Sequence, residues 1–281
     1  MSVPSGAEAH PIQGYLLDLD GTVYRGERAI PGAPEAIAAL RSRGRRIVFL
    51  TNKPLHSREA YAEKLAGLGI PADTDDIVSS SYVLARYLAD RTPRARVFAI
   101  GEPPLLRELE QAGLVLSEDP QEVDVVVAAF DRTFDYRKLD IGFQAIRRGA
   151  RFVATNPDRS CPIDGGEVPD AAGVIAALEA TTGRPVDEVV GKPSPLIVAA
   201  ALDRLGLPAE RCAIVGDRLE TDMAMGRAAG LTTILTLTGI TSRKELAGSP
   251  HPPAFVVDSL AGLAALDDRL ARGAPPRGVP A

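Results

Sequence analysis

YLLDLDGTVYRG, residues 15–26, decides how the rest of the chain is read. Tyr15–Leu19 is a short apolar run of strand length, and the polar punctuation of a strand end follows it: Asp18, Asp20 and Gly21, the last permitting a sharp turn. In an open α/β sheet, ligands bind just beyond the carboxyl ends of the strands, so these carboxylates stand where a site belongs. Two carboxylates two residues apart, with a turn beside them, can share a hard cation such as Mg²⁺, which favours oxygen ligands. A bare DxDG also has an ordinary explanation as a strand-end Asx turn. The remainder of the chain has to decide between them.

Outward from this stretch, short β-branched runs alternate with amphipathic segments of helix length. Arg46–Leu50, Arg96–Ile100, Val123–Phe130, Arg151–Ala154, Cys212–Val215, Thr232–Leu237 and Phe255–Val257 read as strands. Ala33, Ile37 and Leu40 recur at helical spacing, as do Leu196, Ala200 and Leu205, and Gly44, Gly69, Gly206 and Gly230 stand at helix stops. This alternation predicts parallel βαβ units and an α/β fold. No GxGxxG follows the first strand, and there is no P-loop. Thr181–Val186 and Asp90–Arg94 read as connections, and the Pro/Gly-rich end, residues 272–281, as a disordered tail.

Composition narrows the chemistry. The 281 residues are 45% hydrophobic and 25% charged, an ordinary globular balance, and the net charge of −5 argues against a nucleic-acid partner. No apolar run approaches membrane-spanning length, and residues 1–11 show neither a basic nor an apolar signal region, so a cytoplasmic protein is expected. Cys161 and Cys212 are too few for a disulfide framework, and His10, His56 and His251 do not make a zinc centre. Arginine dominates the cations, with lysine only at 53, 64, 138, 192 and 244. Any catalysis by this chain is expected to rest on carboxylates, hydroxyls and a hard metal.

Three more segments follow, or nearly follow, an expected strand. Thr51 and Asn52 offer a hydroxyl and adjacent backbone N–H groups for a phosphate, although Thr-Asn is also common helix-capping chemistry. Lys192 lies in GKPSP, ahead of a helix expected to start near Pro195; a turn lysine is otherwise unremarked. In GDRLETD, residues 216–222, Asp217 stands at a strand end and Asp222 about a helical turn further on, where an acidic helix start would also suit the macrodipole. Each structural explanation is adequate singly, but not for all four segments in this order.

DLDGT, TN, GKPSP and GDRLETD together resemble the four motifs of the haloacid dehalogenase (HAD) superfamily, and more narrowly its class IIA, the NagD-like or 4-nitrophenylphosphatase group. The resemblance runs from about Gly14 to Leu266. It implies a Rossmann-like core with a parallel sheet, residues 1–81 and 187–271, and an inserted α/β (C2-type) cap, residues 82–186. It further implies a Mg²⁺-dependent phosphatase acting on a small phosphorylated metabolite such as a sugar phosphate or glycerol phosphate, and it suggests a homodimer, although nothing in the sequence marks an interface. By the same resemblance Asp18 is the nucleophile that becomes an aspartyl phosphate, and Asp20 is the general acid and then base. Thr51 and Asn52 hold phosphoryl oxygens, and Lys192 neutralises Asp18 and the phosphate. The metal ligands are Asp18, Asp217 and the backbone carbonyl of Asp20, and Asp222 orients the metal's waters or Lys192 from behind.

The segment ATNPDRSCPIDGGEVPD, residues 154–170, resembles the family's cap loop, which makes Asn156, Asp158, Arg159 and Cys161 candidate substrate contacts; a Gly/Pro-rich surface hairpin is the plainer explanation. Many relatives carry an aromatic residue where Cys161 stands, and the smaller, more polar lid suits a sugar or glycerol phosphate at least as well as an aromatic ester. Cys212 and Arg218 match the C-x5-R spacing of cysteine phosphatases, but Ala213–Val215 read as a buried strand, so Cys212 is expected inside the sheet. His56 is expected to help start a helix at Ser57. The rivals are a dehalogenase, which has no need of an acid at Asp20, a phosphotransferase or phosphomutase on the same fold, and a non-catalytic phosphate sensor or receiver, which is far shorter and uncapped.

Overall fold

The computed structural model describes residues 11–163, 165–246 and 248–272. Its strands are Gly14–Asp18 (β1), Tyr24–Arg25 (β2), Arg28–Ala29 (β3), Arg46–Thr51 (β4), Ile77–Ser79 (β5), Arg96–Ile100 (β6), Val115–Leu116 (β7), Val125–Ala128 (β8), Arg151–Ala154 (β9), Ser160–Ile163 (β10), Gly166–Pro169 (β11), Glu188–Val189 (β12), Cys212–Gly216 (β13), Thr232–Thr236 (β14) and Phe255–Val257 (β15). The helices are Ala33–Ser42 (α1), Arg58–Gly67 (α2), Ser80–Arg91 (α3), Pro103–Gln111 (α4), Tyr136–Arg147 (α5), Ala171–Thr182 (α6), Pro195–Leu205 (α7), Ala224–Ala228 (α8), Arg243–Leu246 (α9) and Leu263–Ala271 (α10). The chain forms two compact units, Met1–Val48 with Leu205–Ala281, and Phe49–Arg204.

In the first unit, β15, β14, β13 and β1 are parallel neighbours in that order, with Leu17 opposite Val215 and Gly216 opposite Leu235. Every residue of β1 and β13 is buried, so these strands are continuous apolar runs rather than alternating ones, as sheets covered on both faces require. The start of β4 joins the other side of β1, where the Arg46 N–H donates to the Gln13 carbonyl at 2.9 Å. At the amino-terminal end of β1, the Tyr15 hydroxyl donates to Asp267 Oδ1 at 2.7 Å. Arg45 Nε and Arg43 Nη1 reach the same buried carboxylate at 3.0 and 3.3 Å, tying α10 to the base of the strand that ends in Asp18.

In the second unit, a five-stranded parallel sheet runs in the order β12-β9-β8-β6-β7. Phe98, Val126, Ile146, Phe152 and Leu178 share its apolar core with α5 and α6. β4 continues into this unit and pairs with β5, Thr51 opposite Ser79, while β10 and β11 form an antiparallel hairpin.

All eight expected strands are present. The run read as Val123–Phe130 is ordered as β8 only from Val125 to Ala128, because Asp124 turns its carboxylate to the Arg96 N–H at 2.8 Å. The sequence does not announce β2, β3, β5, β7 and β12, which are too short for alternation to show. The two expected connections begin later than read: α6 continues to Thr182 before Gly183 turns it, and α3 continues to Arg91. The four glycines read as helix stops all have positive φ, from 58° to 80°. His10 and residues 273–281 of the expected tail lie outside the described residues.

Candidate active site

The turn after β1 is built on one carbonyl. The N–H groups of Thr22, Val23 and Tyr24 all return to the Leu19 carbonyl, and Gly21, at φ 84°, donates to the Tyr24 carbonyl at 2.8 Å. Asp18 ends the strand with 6% exposure. Asp20 is partly exposed and bridges to Tyr24.

Asp217 follows β13 and is 2% exposed. Asp222, wholly buried, follows on a five-residue π-helical turn, Leu219–Met223. One carboxylate oxygen from each of Asp18, Asp217 and Asp222 lies within 4.8 Å of the others. Asp222, expected behind the metal ligands, is thus one of the three acids that converge. The reason is steric: a Cβ on Gly216 would stand 2.3 Å from the Asp222 Cγ, so the missing side chain lets that carboxylate forward. The Arg218 N–H holds Asp222 Oδ2 at 3.2 Å.

A loop the sequence reading missed closes over Asp217. The Ile240 N–H donates to Asp217 Oδ2 at 2.7 Å, the Thr241 N–H to the Asp217 carbonyl at 3.1 Å, and the Thr238 hydroxyl to the Gly21 carbonyl at 2.7 Å. A Cβ on Gly239 would lie only 1.7 Å from Asp217 Oδ2. This loop follows β14, one more strand whose carboxyl end the α/β rule marks, and that signal could have found it. Three buried carboxylates at such distances repel one another and are costly to desolvate, so the donor set fits a hard divalent cation.

In the second unit, Thr51 and Asn52 end β4 with 2% and 8% exposure. Thr51 Oγ1 accepts the Lys53 N–H at 3.1 Å. The Asn52 side chain is engaged by its own protein neighbours. Its Oδ1 accepts the Lys192 N–H at 2.7 Å, and its Nδ2 donates to the Lys192 carbonyl and to Asp158 Oδ2, both at 3.0 Å. The amide therefore clamps the backbone of Lys192, whose side chain is 5% exposed, and Gly191 beside it admits no side chain, since a Cβ would meet the Thr155 carbonyl at 2.4 Å.

The candidate cap residues divide. Asn156 is wholly buried, donating to Asp158 Oδ2 at 3.1 Å and Asp170 Oδ1 at 3.0 Å and accepting from the Thr155 hydroxyl at 2.7 Å. Its amide braces the loop from inside. Asp158 is half-buried and receives Asn52 and Asn156, whereas Arg159 is exposed. Cys161 sits on β10 at 3% exposure, opposite Val168. Burial raises the Asp170 carboxyl above the ordinary aspartate value, against the Ala171 N–H and the Asn156 amide, which lower it. Cys212 is fully buried within β13, and burial pushes its thiol up to about 11, which removes the cysteine-phosphatase alternative. Ser57 caps α2, its hydroxyl accepting the Ala60 N–H at 3.2 Å, and His56 stacks edge-on against Tyr61. Among the described residues, no helix is long and apolar enough to cross a membrane.

Comparison with known proteins adds to this geometry. Residues 15–115 match the haloacid dehalogenase-like hydrolase family model, and residues 189–263 match a second, HAD-hydrolase-like model. The sugar-phosphatase AraL of Bacillus subtilis is 43% identical over 247 residues, covering 88% of this chain and 90% of AraL. Among solved structures, the 4-nitrophenylphosphatase of Thermotoga maritima superposes with a TM-score of 0.87 at 38% identity, over 91% of this chain and 97% of that one. The glycerol phosphate phosphatase of Mycobacterium tuberculosis, in complex with magnesium, gives 0.85 at 33% identity, over 94% of this chain and 79% of that one.

Proposed function

The chain belongs to the haloacid dehalogenase-like hydrolases and is a phosphomonoesterase of their NagD-like branch, with a Rossmann-like α/β core and a cap; from that premise we propose which of its residues carry the reaction. The cap comprises residues 82–186, inserted between the segments 1–81 and 187–271 of the core. Asp18 is the nucleophile: its carboxylate oxygen attacks phosphorus, the leaving alkoxide departs, and an aspartyl phosphate remains. Asp20 donates a proton to that alkoxide and then removes one from the water that attacks phosphorus, which releases phosphate and restores Asp18. The convergence of Asp18, Asp217 and Asp222 is the observation that carries this reading.

Asp18, Asp217 and the Asp20 carbonyl would hold Mg²⁺, with the Asp222 carboxylate beside them. The ion, when bound, supplies positive charge that offsets the repulsion between a phosphate dianion and a carboxylate. Lys192 adds a second positive charge at the phosphoryl oxygens, and Asn52 sets where that lysine leaves the backbone. Thr51 contributes its hydroxyl to the same oxygens. Phosphoryl transfer depends mainly on such positioning and charge stabilisation, so the residues that brace others matter nearly as much as those that touch the substrate.

The substrate is a small phosphorylated metabolite, with a sugar phosphate or glycerol phosphate the class that a polar lid around Arg159 and Cys161 suits. The protein acts in the cytoplasm, on neither nucleic acid nor membrane, and pairs as a homodimer. Hydrolysis of 4-nitrophenyl phosphate, sugar phosphates, glycerol phosphate, pyridoxal phosphate and nucleoside monophosphates, with Mg²⁺ and with excess EDTA, tests the assignment. Release that depends on the metal and falls by at least about 10³-fold in Asp18→Asn is expected. Wild-type rates in that variant would remove Asp18 from the mechanism.

A further inference from the structure

β12, β9, β8 and β6 are parallel neighbours, so the chain leaves all four at the same edge of one sheet. Lys192 follows β12, Asp158 and the β10–β11 hairpin follow β9, Arg132 follows β8, and Glu102 follows β6. Two strand spacings, on the order of 10 Å, separate the departures toward Lys192 and Arg132.

The Arg132 side chain is 64% exposed yet firmly held. Its Nε donates to Glu102 Oε1 at 2.6 Å, its Nη2 to Glu102 Oε2 at 2.7 Å, and its backbone N–H to Oε1 at 3.3 Å. Glu102 is itself only 11% exposed, so the fork is anchored on its carboxylate side. The guanidinium carbon lies 5.9 Å from the Phe130 ring centroid. Glu102 raises the basicity of this guanidinium, against its partial burial, which lowers it. Nη1 makes no hydrogen bond among the described residues.

We propose that Arg132, oriented by Glu102, is a specificity residue that donates from Nη1 to a hydroxyl oxygen on the leaving group. The inference rests on the reading that Lys192 receives the phosphoryl group, since both residues leave the same sheet edge. A hydroxyl suits the site better than a second anion: Glu102 already neutralises the guanidinium, so a further negative charge would compete with it, whereas a neutral hydroxyl accepts an N–H at no such cost. An aromatic alcohol as leaving group offers no second hydroxyl and gains nothing from Arg132. The arrangement therefore sorts phosphomonoesters by whether the far part of the leaving group is polyhydroxylated.

The test is kcat and KM of the full-length protein with Mg²⁺ on ribose 5-phosphate, glucose 6-phosphate and 4-nitrophenyl phosphate, for wild type, Arg132→Met and Arg132→Lys. Methionine keeps the apolar stem without donors, and lysine keeps the charge without the fork. Both variants are expected to raise KM for the sugar esters about tenfold or more, with kcat little changed and 4-nitrophenyl phosphate within about twofold of wild type. Thermal midpoints accompany the kinetics, and Arg132→Lys carries the test should the methionine variant fail to fold. Equal changes on all three esters, or none on any, overturn the proposal while leaving the phosphatase assignment standing. A wild type that releases phosphate from none of them overturns both.

Discussion

Beyond the strands of the first unit, Asp18, Asp217 and Asp222 gather against one another; beyond those of the second, Glu102, Asp131 and Asp170 each stand beside a base or an amide. Glu102 faces Arg132, Asp131 receives the Lys138 ammonium at 2.6 Å, and Asp170 accepts from Asn156. Both sheets are parallel and both place charge at strand ends, so topology does not make the difference. What differs is what the carboxylates face: in the first unit three acids converge, a donor set that fits a hard cation, while in the second Glu102 and Asp131 each face a cationic side chain.

The sharpest way to break this contrast is to disturb the acids without removing one. A Cβ on Gly239 would intrude on Asp217 Oδ2. Gly239→Ala is therefore expected to lower kcat by about 10²-fold or more, the scale of an ångström's misplacement in a catalytic group. A variant with unaltered turnover would mean that the position of Asp217 is not critical.

Metal removal comes next. An ion binding only the folded acids adds about 2.7 kcal/mol of stability at a hundredfold excess over its Kd. Mg²⁺ is thus expected to raise the thermal midpoint of wild type, and much less that of Asp217→Asn, with no substrate present. Equal shifts in both proteins would place the ion elsewhere.

On the second unit's side, Asn52→Ala removes three hydrogen bonds at once and leaves the Lys192 backbone groups unanswered. A loss of about 1–3 kcal/mol in unfolding free energy is expected by denaturant titration, together with a fall in kcat. Loss of stability with kcat intact would make the clamp purely structural.

The smallest effect concerns Asp170, whose folded carboxyl titrates above the ordinary aspartate value of 3.8 because burial disfavours its charge. Between those two values the native state binds more protons than the unfolded chain, so this group's contribution to stability falls as pH rises through that window and is level above it. Asp170→Asn keeps an oxygen for the Ala171 N–H and the Asn156 amide and should flatten that part of the curve, with slightly higher stability at neutral pH. Parallel wild-type and variant curves through the window would contradict the assignment.

Much of this contrast is visible in the amino-acid order. The four strand-end segments carry Asp18, Thr51, Lys192 and Asp217 openly, because side chains at the carboxyl ends of apolar runs are marked by the runs themselves. The roles of Asn52 and Asn156 were not legible, since an amide reads alike whether it faces a ligand or a backbone 140 residues away. Gly216 and Gly239 were equally silent: their importance lies in what approaches them, and only the folded chain brings Asp222 and Asp217 there. Strands of two or three residues, such as β5 and β12, lack the length for a periodic signature.

The central claim, that the converging acids form a reaction centre with Asp18 as nucleophile, is tested most directly by acid-quenching the enzyme during turnover and locating the phosphoryl group by peptide mass. One phosphoryl group on the peptide bearing Asp18, absent with EDTA and absent in Asp18→Asn, is the result expected. Steady turnover with no phosphorylated peptide, or with the group on a residue other than Asp18, would contradict it.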